Sequence, residues 1–188
     1  MSLKDFLTYQ AKTSPKPLGL EVSKAKGSYI FDSNGKKYLD FVAGISACSL
    51  GHRHPEIIRA IKKQLNKFLH VMVYGEYVQE PSVNLCKKLA SLLPKKLEVT
   101  FLTNSGTEAI EGAMKLAKRY TKKSNFIAAK NSYHGSTQGA LSLLGVRNQK
   151  KGYGPLLPKV NFIDFNSNED LIKIDINTAA VILETIQG

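Results

Sequence analysis

The fold is indicated by one stretch of sequence, Val99-Thr-Phe-Leu-Thr-Asn-Ser-Gly-Thr-Glu-Ala-Ile-Glu111. Its apolar beginning predicts a strand over Glu98–Leu102, and apolar residues at helical spacing predict a helix over Thr107–Lys122. The Ser-Gly-Thr turn between them therefore lies at a helix N-terminus. Unpaired backbone N–H groups and the positive end of the helix dipole favour a phosphate group at such a place.

Each residue of this turn could contribute to binding a phosphate group. Gly106 allows the backbone to approach a ligand closely, and the hydroxyls of Ser105 and Thr107 can add hydrogen bonds. A Ser-Gly-Thr sequence at a helix start is also a good N-cap without any ligand, and the residues alone leave both interpretations open. The segment matches neither GxxxxGK[ST] nor GxGxxG, the usual nucleotide-binding motifs.

Downstream of this turn, predicted strands alternate with predicted helices. The strands are Asn125–Ala129, Lys159–Asp164 and Ala179–Glu184, and the helices are residues 132–143 and Asn168–Ile174. Such alternation is typical of βαβ units. We therefore expect an α/β fold with a mainly parallel sheet and helices on both faces.

The first part of the chain has a different pattern, that of a small antiparallel unit. Three short strands are predicted, at Glu21–Lys24, Ser28–Asp32 and Lys37–Phe41. Asn34-Gly35 between the last two strands predicts a hairpin with a type I′ turn, in which both central residues have positive φ.

Two helices are predicted between these parts, over residues 57–68 and Glu80–Leu93. We expect residues 1–60 to form an N-terminal arm and part of a small α+β domain. Residues 61–188 are expected to form the first half of a larger α/β domain.

A second polar loop, Lys130-Asn-Ser-Tyr-His-Gly-Ser-Thr137, directly follows the strand predicted at Asn125–Ala129. It lies at the carboxyl end of that strand, where open α/β sheets bind ligands. Tyr133 can stack on a planar aromatic ligand, and His134 and Ser136 bring polar groups nearby. A capped loop with a half-buried aromatic side chain is the alternative.

Glu184 is the third candidate, at the end of the last predicted strand. Because the carboxyl ends of parallel strands meet at one edge, we expect Glu184 on the same rim as the other two loops. A surface acid at a strand end is the alternative. Taken together, the turn at residues 105–107 and the loop at residues 130–137, which we call the aromatic loop, predict a pocket for a phosphorylated aromatic ligand.

Composition argues against several other classes of protein. Hydrophobic residues are 43% of the chain and charged residues 22%, as in soluble globular proteins, and no apolar run reaches the roughly 20 residues that span a bilayer. The N-terminus lacks the apolar region of a signal peptide. Cys48 and Cys86 lie apart from any CxxC or histidine cluster, which favours free thiols in a reducing cytoplasm and no metal site.

The net charge of +12 raises the possibility of nucleic-acid binding. The basic residues are mostly lysines in scattered pairs, and the few arginines are far apart. Solvated helix faces explain this pattern, so we do not expect a nucleic-acid partner.

Five motifs follow one another along essentially the whole chain: Gly51-His-Arg-His-Pro55, Asn104-Ser-Gly-Thr-Glu-Ala109, Tyr133-His-Gly135, Pro155-Leu-Leu-Pro158 and Glu184-Thr-Ile-Gln-Gly188. In this order and spacing they resemble the class III (ω-amino) aminotransferases, fold-type I enzymes that depend on pyridoxal 5′-phosphate (PLP). The resemblance is nearest to the acetylornithine/ornithine aminotransferase branch, and it corresponds to the N-terminal half of such an enzyme.

The resemblance implies a role for each candidate residue. The turn at residues 105–107 would hold the phosphate of PLP, and Tyr133 would stack on its pyridine ring. His134 belongs to the same motif and is expected beside the cofactor. Glu184 would lie next to the cofactor and help to orient it.

The resemblance also implies a reaction. An amino group would pass from an ornithine-like or other ω-amino donor to a keto acid such as 2-oxoglutarate, in a homodimeric enzyme. The Schiff-base lysine of the family would lie beyond Gly188, so no catalytic residue is expected within this chain and residues 1–188 alone are expected to be inactive. A non-catalytic α/β module that binds a phosphate ligand or a partner is the rival hypothesis.

Two positions depart from the pattern of the ornithine-type enzymes. Ser136 stands where an arginine usually pairs with a substrate carboxylate, and Ile45 stands where a tyrosine usually faces the substrate. A hydroxyl does not replace charge-assisted bidentate pairing, so the identity of the amino donor stays open.

Overall fold

The computed structural model describes residues 3–188, which form two compact units. The first unit ends at Val78, and the second extends from Gln79 to Gly188. The sequence-based boundary between residues 60 and 61 falls inside the first unit. Each unit has its own three-stranded sheet.

The first unit contains an antiparallel sheet in the order β1-β2-β3, as the sequence predicted. Helix α1 (Leu3–Tyr9) precedes it. The strands are β1 (Val22–Lys26), β2 (Tyr29–Asp32) and β3 (Lys37–Leu39).

The turn between β2 and β3 is not the predicted type I′ turn. Of Asn34 and Gly35, only Gly35 has a positive φ, at 83°. The Asp32 carboxylate accepts hydrogen bonds from the backbone N–H groups of Asn34 and Lys36, both at 2.9 Å. The Gly35 N–H donates to the Asp32 carbonyl at 3.1 Å. These contacts stabilise a three-residue loop with glycine in the left-handed position, which is the next commonest hairpin connection.

The segment after β3 leads to helix α3 (Pro55–Leu65). It includes the short element α2 (Ala43–Ser46), whose four residues all have positive φ. The predicted helix after Pro55 is confirmed, and it ends before residue 68.

The motif at residues 51–55 has a structural explanation in this unit. Gly51 has a φ of 77°, and a Cβ atom there would lie 3.0 Å from the carbonyl oxygen of Gly27. His52 exchanges two backbone hydrogen bonds with Gly27, at 2.8 and 2.9 Å. Its Nε2 lies 2.7 Å from a carboxylate oxygen of Asp40. The motif thus joins the segment before α3 to the first hairpin.

The second unit begins with helix α4 (Glu80–Leu92) and contains a parallel sheet. Helix α5 (Gly106–Thr121) precedes β4 (Asn125–Ala129). Then follow α6 (Gln138–Ser142), β5 (Val160–Ile163) and β6 (Thr178–Ile182). The sheet order β5-β4-β6 places β4 in the centre. The prediction of an α/β fold with a parallel sheet is confirmed.

The core of this unit lies between α5 and the sheet. Met114 of α5 packs with Phe126 and Ala128 of β4 and with Leu143 after α6. Ile127 and Ala129, which alternate with the first pair along the strand, are also buried. Central strand β4 is therefore covered on both faces, which explains its continuous apolar sequence.

Three predictions of secondary structure in this unit need correction. Residues 98–102 form no strand; in the described chain no strand pairs with them, and Val99 and Phe101 are exposed. The helix predicted over residues 132–143 is reduced to α6, because Gly135, at a φ of 127°, interrupts helical backbone. The helix predicted over Asn168–Ile174 is a 3₁₀ helix, Glu169–Lys173.

The cysteines and the helix lengths can be compared with what the composition predicted. Cys48 and Cys86 both carry free thiols. Among the described residues, no helix is both long enough and apolar enough to cross a membrane.

Candidate functional site

The Ser-Gly-Thr turn lies at the N-terminus of α5, as predicted. Ser105 is the N-cap, and its hydroxyl oxygen accepts a hydrogen bond from the Glu108 N–H at 3.3 Å. The Glu108 carboxylate accepts the Asn104 N–H at 2.8 Å and the Ser105 hydroxyl at 3.2 Å. This arrangement is a variant of the capping box, in which the carboxylate accepts from the N–H of the residue before the N-cap, and it holds the turn without any ligand.

The capping box leaves two donors of the turn available. Within the described residues, the backbone N–H groups of Gly106 and Thr107 have no hydrogen-bond partner, as expected at the first positions of a helix. Ser105 and Gly106 are exposed. A Cβ atom at Gly106 would meet no atom within 4 Å, and its φ is not positive. No neighbour among the described residues therefore requires glycine here. The capping and phosphate interpretations are compatible.

The aromatic loop contacts this turn directly. Gly135 lies so close to it that an added Cβ would overlap the Thr107 Oγ1 atom. The hydroxyl oxygens of Thr107 and Thr137 are 2.7 Å apart, and the Thr137 N–H donates to the Thr107 oxygen at 3.3 Å. Gly135 is thus required by the close approach of the two loops as well as by its φ.

Tyr133 connects the aromatic loop to the segment after β6. The residue is 58% exposed, so its side chain is accessible to a ligand. Its hydroxyl lies 3.2 Å from the Ser136 hydroxyl, and its N–H donates to the Glu184 carboxylate at 3.3 Å. The Gln187 side-chain amide donates to the Lys130 carbonyl at 2.7 Å. All three sequence-predicted segments therefore meet through direct hydrogen bonds.

His134 and Glu184 each present a buried polar atom that lacks a partner. Within the described chain, neither the His134 Nε2 atom nor the Glu184 Oε2 atom has a hydrogen-bond partner. Burial lowers the pKa of His134, and the nearby Glu184 carboxylate offsets part of this, so the imidazole is neutral at pH 7. Unsatisfied buried polar atoms are costly. These two atoms therefore fit a site that is completed by polar groups of a cofactor or of further protein.

One polar residue of this region was not found by sequence reasoning. Glu111, on α5, accepts the Thr137 hydroxyl at 2.6 Å and the backbone N–H groups of Gly139 and Ala140 at 2.8 and 3.1 Å. Burial raises its pKa, but these hydrogen bonds more than compensate, and the pKa is lowered overall. An acid in the second turn of a helix gives no sign in the sequence that it faces the next loop.

The sequence model of class III aminotransferases matches residues 9–188. This chain belongs to the class III aminotransferases. The family is PLP-dependent, so its cofactor is the phosphorylated aromatic compound that the site residues suggested.

Several curated members of the family are similar to this chain in sequence. The acetylornithine aminotransferase of Archaeoglobus fulgidus is 39% identical over 168 residues, which are 89% of this chain and 44% of that protein. The [LysW]-aminoadipate semialdehyde/glutamate semialdehyde transaminase of Sulfolobus acidocaldarius is 40% identical over 171 residues, 90% of this chain and 43% of that protein. The chain thus spans less than half the length of these class III relatives.

Solved structures of class III enzymes and related transaminases have the same fold. The ornithine aminotransferase of Toxoplasma gondii, solved with partial occupancy of PLP at its active site, has a TM-score of 0.84 and 30% sequence identity, covering 98% of this chain and 44% of that chain. The adenosylmethionine-8-amino-7-oxononanoate aminotransferase of Methanocaldococcus jannaschii has a TM-score of 0.86 and 30% identity, covering 95% of this chain and 45% of that chain. The fold-type I architecture is thereby confirmed.

Proposed function

We propose that the full-length protein is a PLP-dependent transaminase and that the second unit forms the phosphate side of its cofactor site. The observation that carries this proposal is the exposed turn at the start of α5. It combines two available backbone N–H groups with a glycine that no neighbour among the described residues requires. A dianionic phosphate matches both the donors and the positive end of this 16-residue helix.

Each candidate residue then has a defined task. The amides of Gly106 and Thr107 bind the phosphate, and the Ser105 hydroxyl can turn toward it. Tyr133 offers its exposed ring to the pyridine. His134 and Glu184 present their unpartnered atoms to complete the site. The bound cofactor would supply an electron sink for bonds at the substrate carbon, while these residues fix its orientation.

We further propose that the amino donor is ornithine-like or another ω-amino compound and that the acceptor is a keto acid such as 2-oxoglutarate. The names of the relatives support this range, because they include acetylornithine, semialdehyde and ornithine aminotransferases. Ser136 and Ile45 do not support ornithine in particular. We also propose a homodimer in the cytoplasm and a catalytic lysine outside residues 1–188, as the family resemblance implies.

The test compares Tyr133→Ala with Tyr133→Phe in the full-length protein. Tyr133→Ala should weaken PLP binding by roughly 1–3 kcal/mol, from lost stacking and buried area. Tyr133→Phe retains the ring and should bind PLP almost as well as the wild type. Binding is measured by titrating the PLP-free protein with PLP, and activity with ornithine or N-acetylornithine and 2-oxoglutarate. Equal PLP affinity in the alanine variant would contradict the assignment of Tyr133, and a protein that binds phosphate but no PLP would favour the non-catalytic module.

A further inference from the structure

Glu111 connects α5 to the start of α6. One carboxylate oxygen, Oε1, accepts all three hydrogen bonds from Thr137, Gly139 and Ala140. The other oxygen, Oε2, would overlap a Cβ atom added at Gly139. Glycine at position 139 is therefore explained by the carboxylate beside it. The carboxylate also satisfies two of the backbone N–H groups at the start of α6, which have no partner within that helix.

The Glu111 carboxylate also determines the direction of the hydrogen bond between the Thr107 and Thr137 hydroxyls. An ionised carboxylate can only accept, so the Thr137 hydroxyl donates its single hydrogen to Glu111. Thr137 can then only accept from the Thr107 hydroxyl, 2.7 Å away. The Thr107 hydroxyl thus has no hydrogen left for an anion at the turn. Its backbone N–H stays available.

The same contacts attach the aromatic loop to the turn. The loop that carries Tyr133 ends at Thr137, whose hydroxyl and N–H both contact the Thr107 side chain. The Thr137 hydroxyl also donates to Glu111. The turn itself does not depend on Glu111, because its own cap is formed by Ser105 and Glu108.

We propose that Glu111 is a positioning residue that holds the aromatic loop, which carries Tyr133, against the phosphate-binding turn. This inference rests on the proposed PLP site. It assigns a role in cofactor binding to a residue that does not touch the cofactor.

The first experiment compares Glu111→Ala with Glu111→Gln in the full-length protein, using PLP and inorganic phosphate as probes. In Glu111→Gln the amide oxygen still accepts the three hydrogen bonds, so both affinities should stay within about threefold of the wild type. In Glu111→Ala the loop is released, so PLP affinity should fall more than about tenfold while phosphate affinity changes less than about threefold. Equal losses for both probes, or no loss of PLP affinity, would overturn the positioning role.

A second measurement needs no ligand and separates this inference from the proposed function. Amide hydrogen exchange at Gly139 and Ala140 should be at least about tenfold faster in Glu111→Ala and nearly unchanged in Glu111→Gln. Unchanged exchange in Glu111→Ala overturns the inference. A wild-type protein that fails to bind PLP overturns the proposed function, while the exchange result still decides the role of Glu111.

Discussion

Two glycines of the candidate site, Gly135 and Gly106, differ in what a larger side chain would meet. Gly135 has a φ of 127°, and a Cβ there would overlap the Thr107 side chain. Gly106 has ordinary backbone geometry and open space where a Cβ would be. Folding therefore requires the first glycine, and in our proposal the ligand requires the second.

Gly106→Ala separates these reasons experimentally. The free energy of unfolding of the variant should lie within about 0.5 kcal/mol of the wild-type value, because no contact is lost and alanine is favourable in a helix. Its affinity for PLP and for inorganic phosphate should fall by roughly 10- to 100-fold, because the methyl group blocks donors to a charged ligand. Thermal unfolding and ligand titration measure the two effects.

Gly112→Ala is the matched control on the same helix, since its Cβ would only make ordinary contact with Phe101, at 3.7 Å. It should leave phosphate affinity unchanged. Unchanged phosphate affinity in Gly106→Ala as well would remove the turn from the proposed site.

At the scale of elements, the first hairpin and the segment before α3 are joined by an acid that follows β3. The Asp40 carboxylate lies 2.7 Å from His52 Nε2 and accepts the N–H groups of Val42 and Ala43, both at 3.0 Å. The hydrogen bond from His52, followed by that from Ala43, lowers the Asp40 pKa. The unfolded chain therefore binds a proton here more readily than the folded protein does.

The lowered pKa predicts the direction of a pH effect. A carboxyl group with a lowered folded pKa stabilises the protein fully above its unfolded pKa, about 3.9, and this contribution is lost as the pH falls through the folded value. Asp40→Asn should destabilise the full-length protein at pH 7 and reduce the further loss of stability on acidification. Urea unfolding at pH 7 and at about pH 3.5 measures this.

Glu76→Gln provides the control, because Glu76 is an exposed acid in the same unit. Its acid sensitivity should match that of the wild type. An Asp40→Asn variant with wild-type acid sensitivity would show that the His52–Asp40 contact does not contribute to the pH dependence.

For the molecule as a whole, our proposal separates cofactor binding from turnover. The second unit supplies phosphate donors and an accessible aromatic ring, and we propose that the catalytic lysine lies outside residues 1–188. A polypeptide of residues 1–188 should therefore show no transamination above background with any amino donor, because no positioned base is available to move the proton at the substrate carbon.

The full-length protein under identical conditions is the reference for this comparison. Borohydride reduction in the presence of PLP, followed by peptide mass spectrometry, tests for a uniquely reactive lysine. A single modified lysine in residues 1–188, together with multiple turnovers, would place the catalytic residue within this chain.

The sequence by itself determined the features that depend on local order. Apolar spacing predicted α3, α4 and α5, the alternation of strands and helices predicted the parallel sheet, and the motifs predicted the family. The position of the Ser-Gly-Thr turn at a helix start followed from the residues on either side of it. These features depend on residues that are close together in the sequence, so their spacing can be read from it directly.

The tertiary structure decided what depends on distant partners. Residues 98–102 have the composition of a strand but no paired strand in the described chain, and a strand needs hydrogen bonds from a neighbour. The Asp32 carboxylate selects the geometry of the first hairpin turn. The contact of Glu111 with residues 137–140 joins positions far apart in sequence, and Gly106 differs from Gly135 in its surroundings and in its φ. Packing and long-range hydrogen bonds set these features, and no periodicity in the sequence records them.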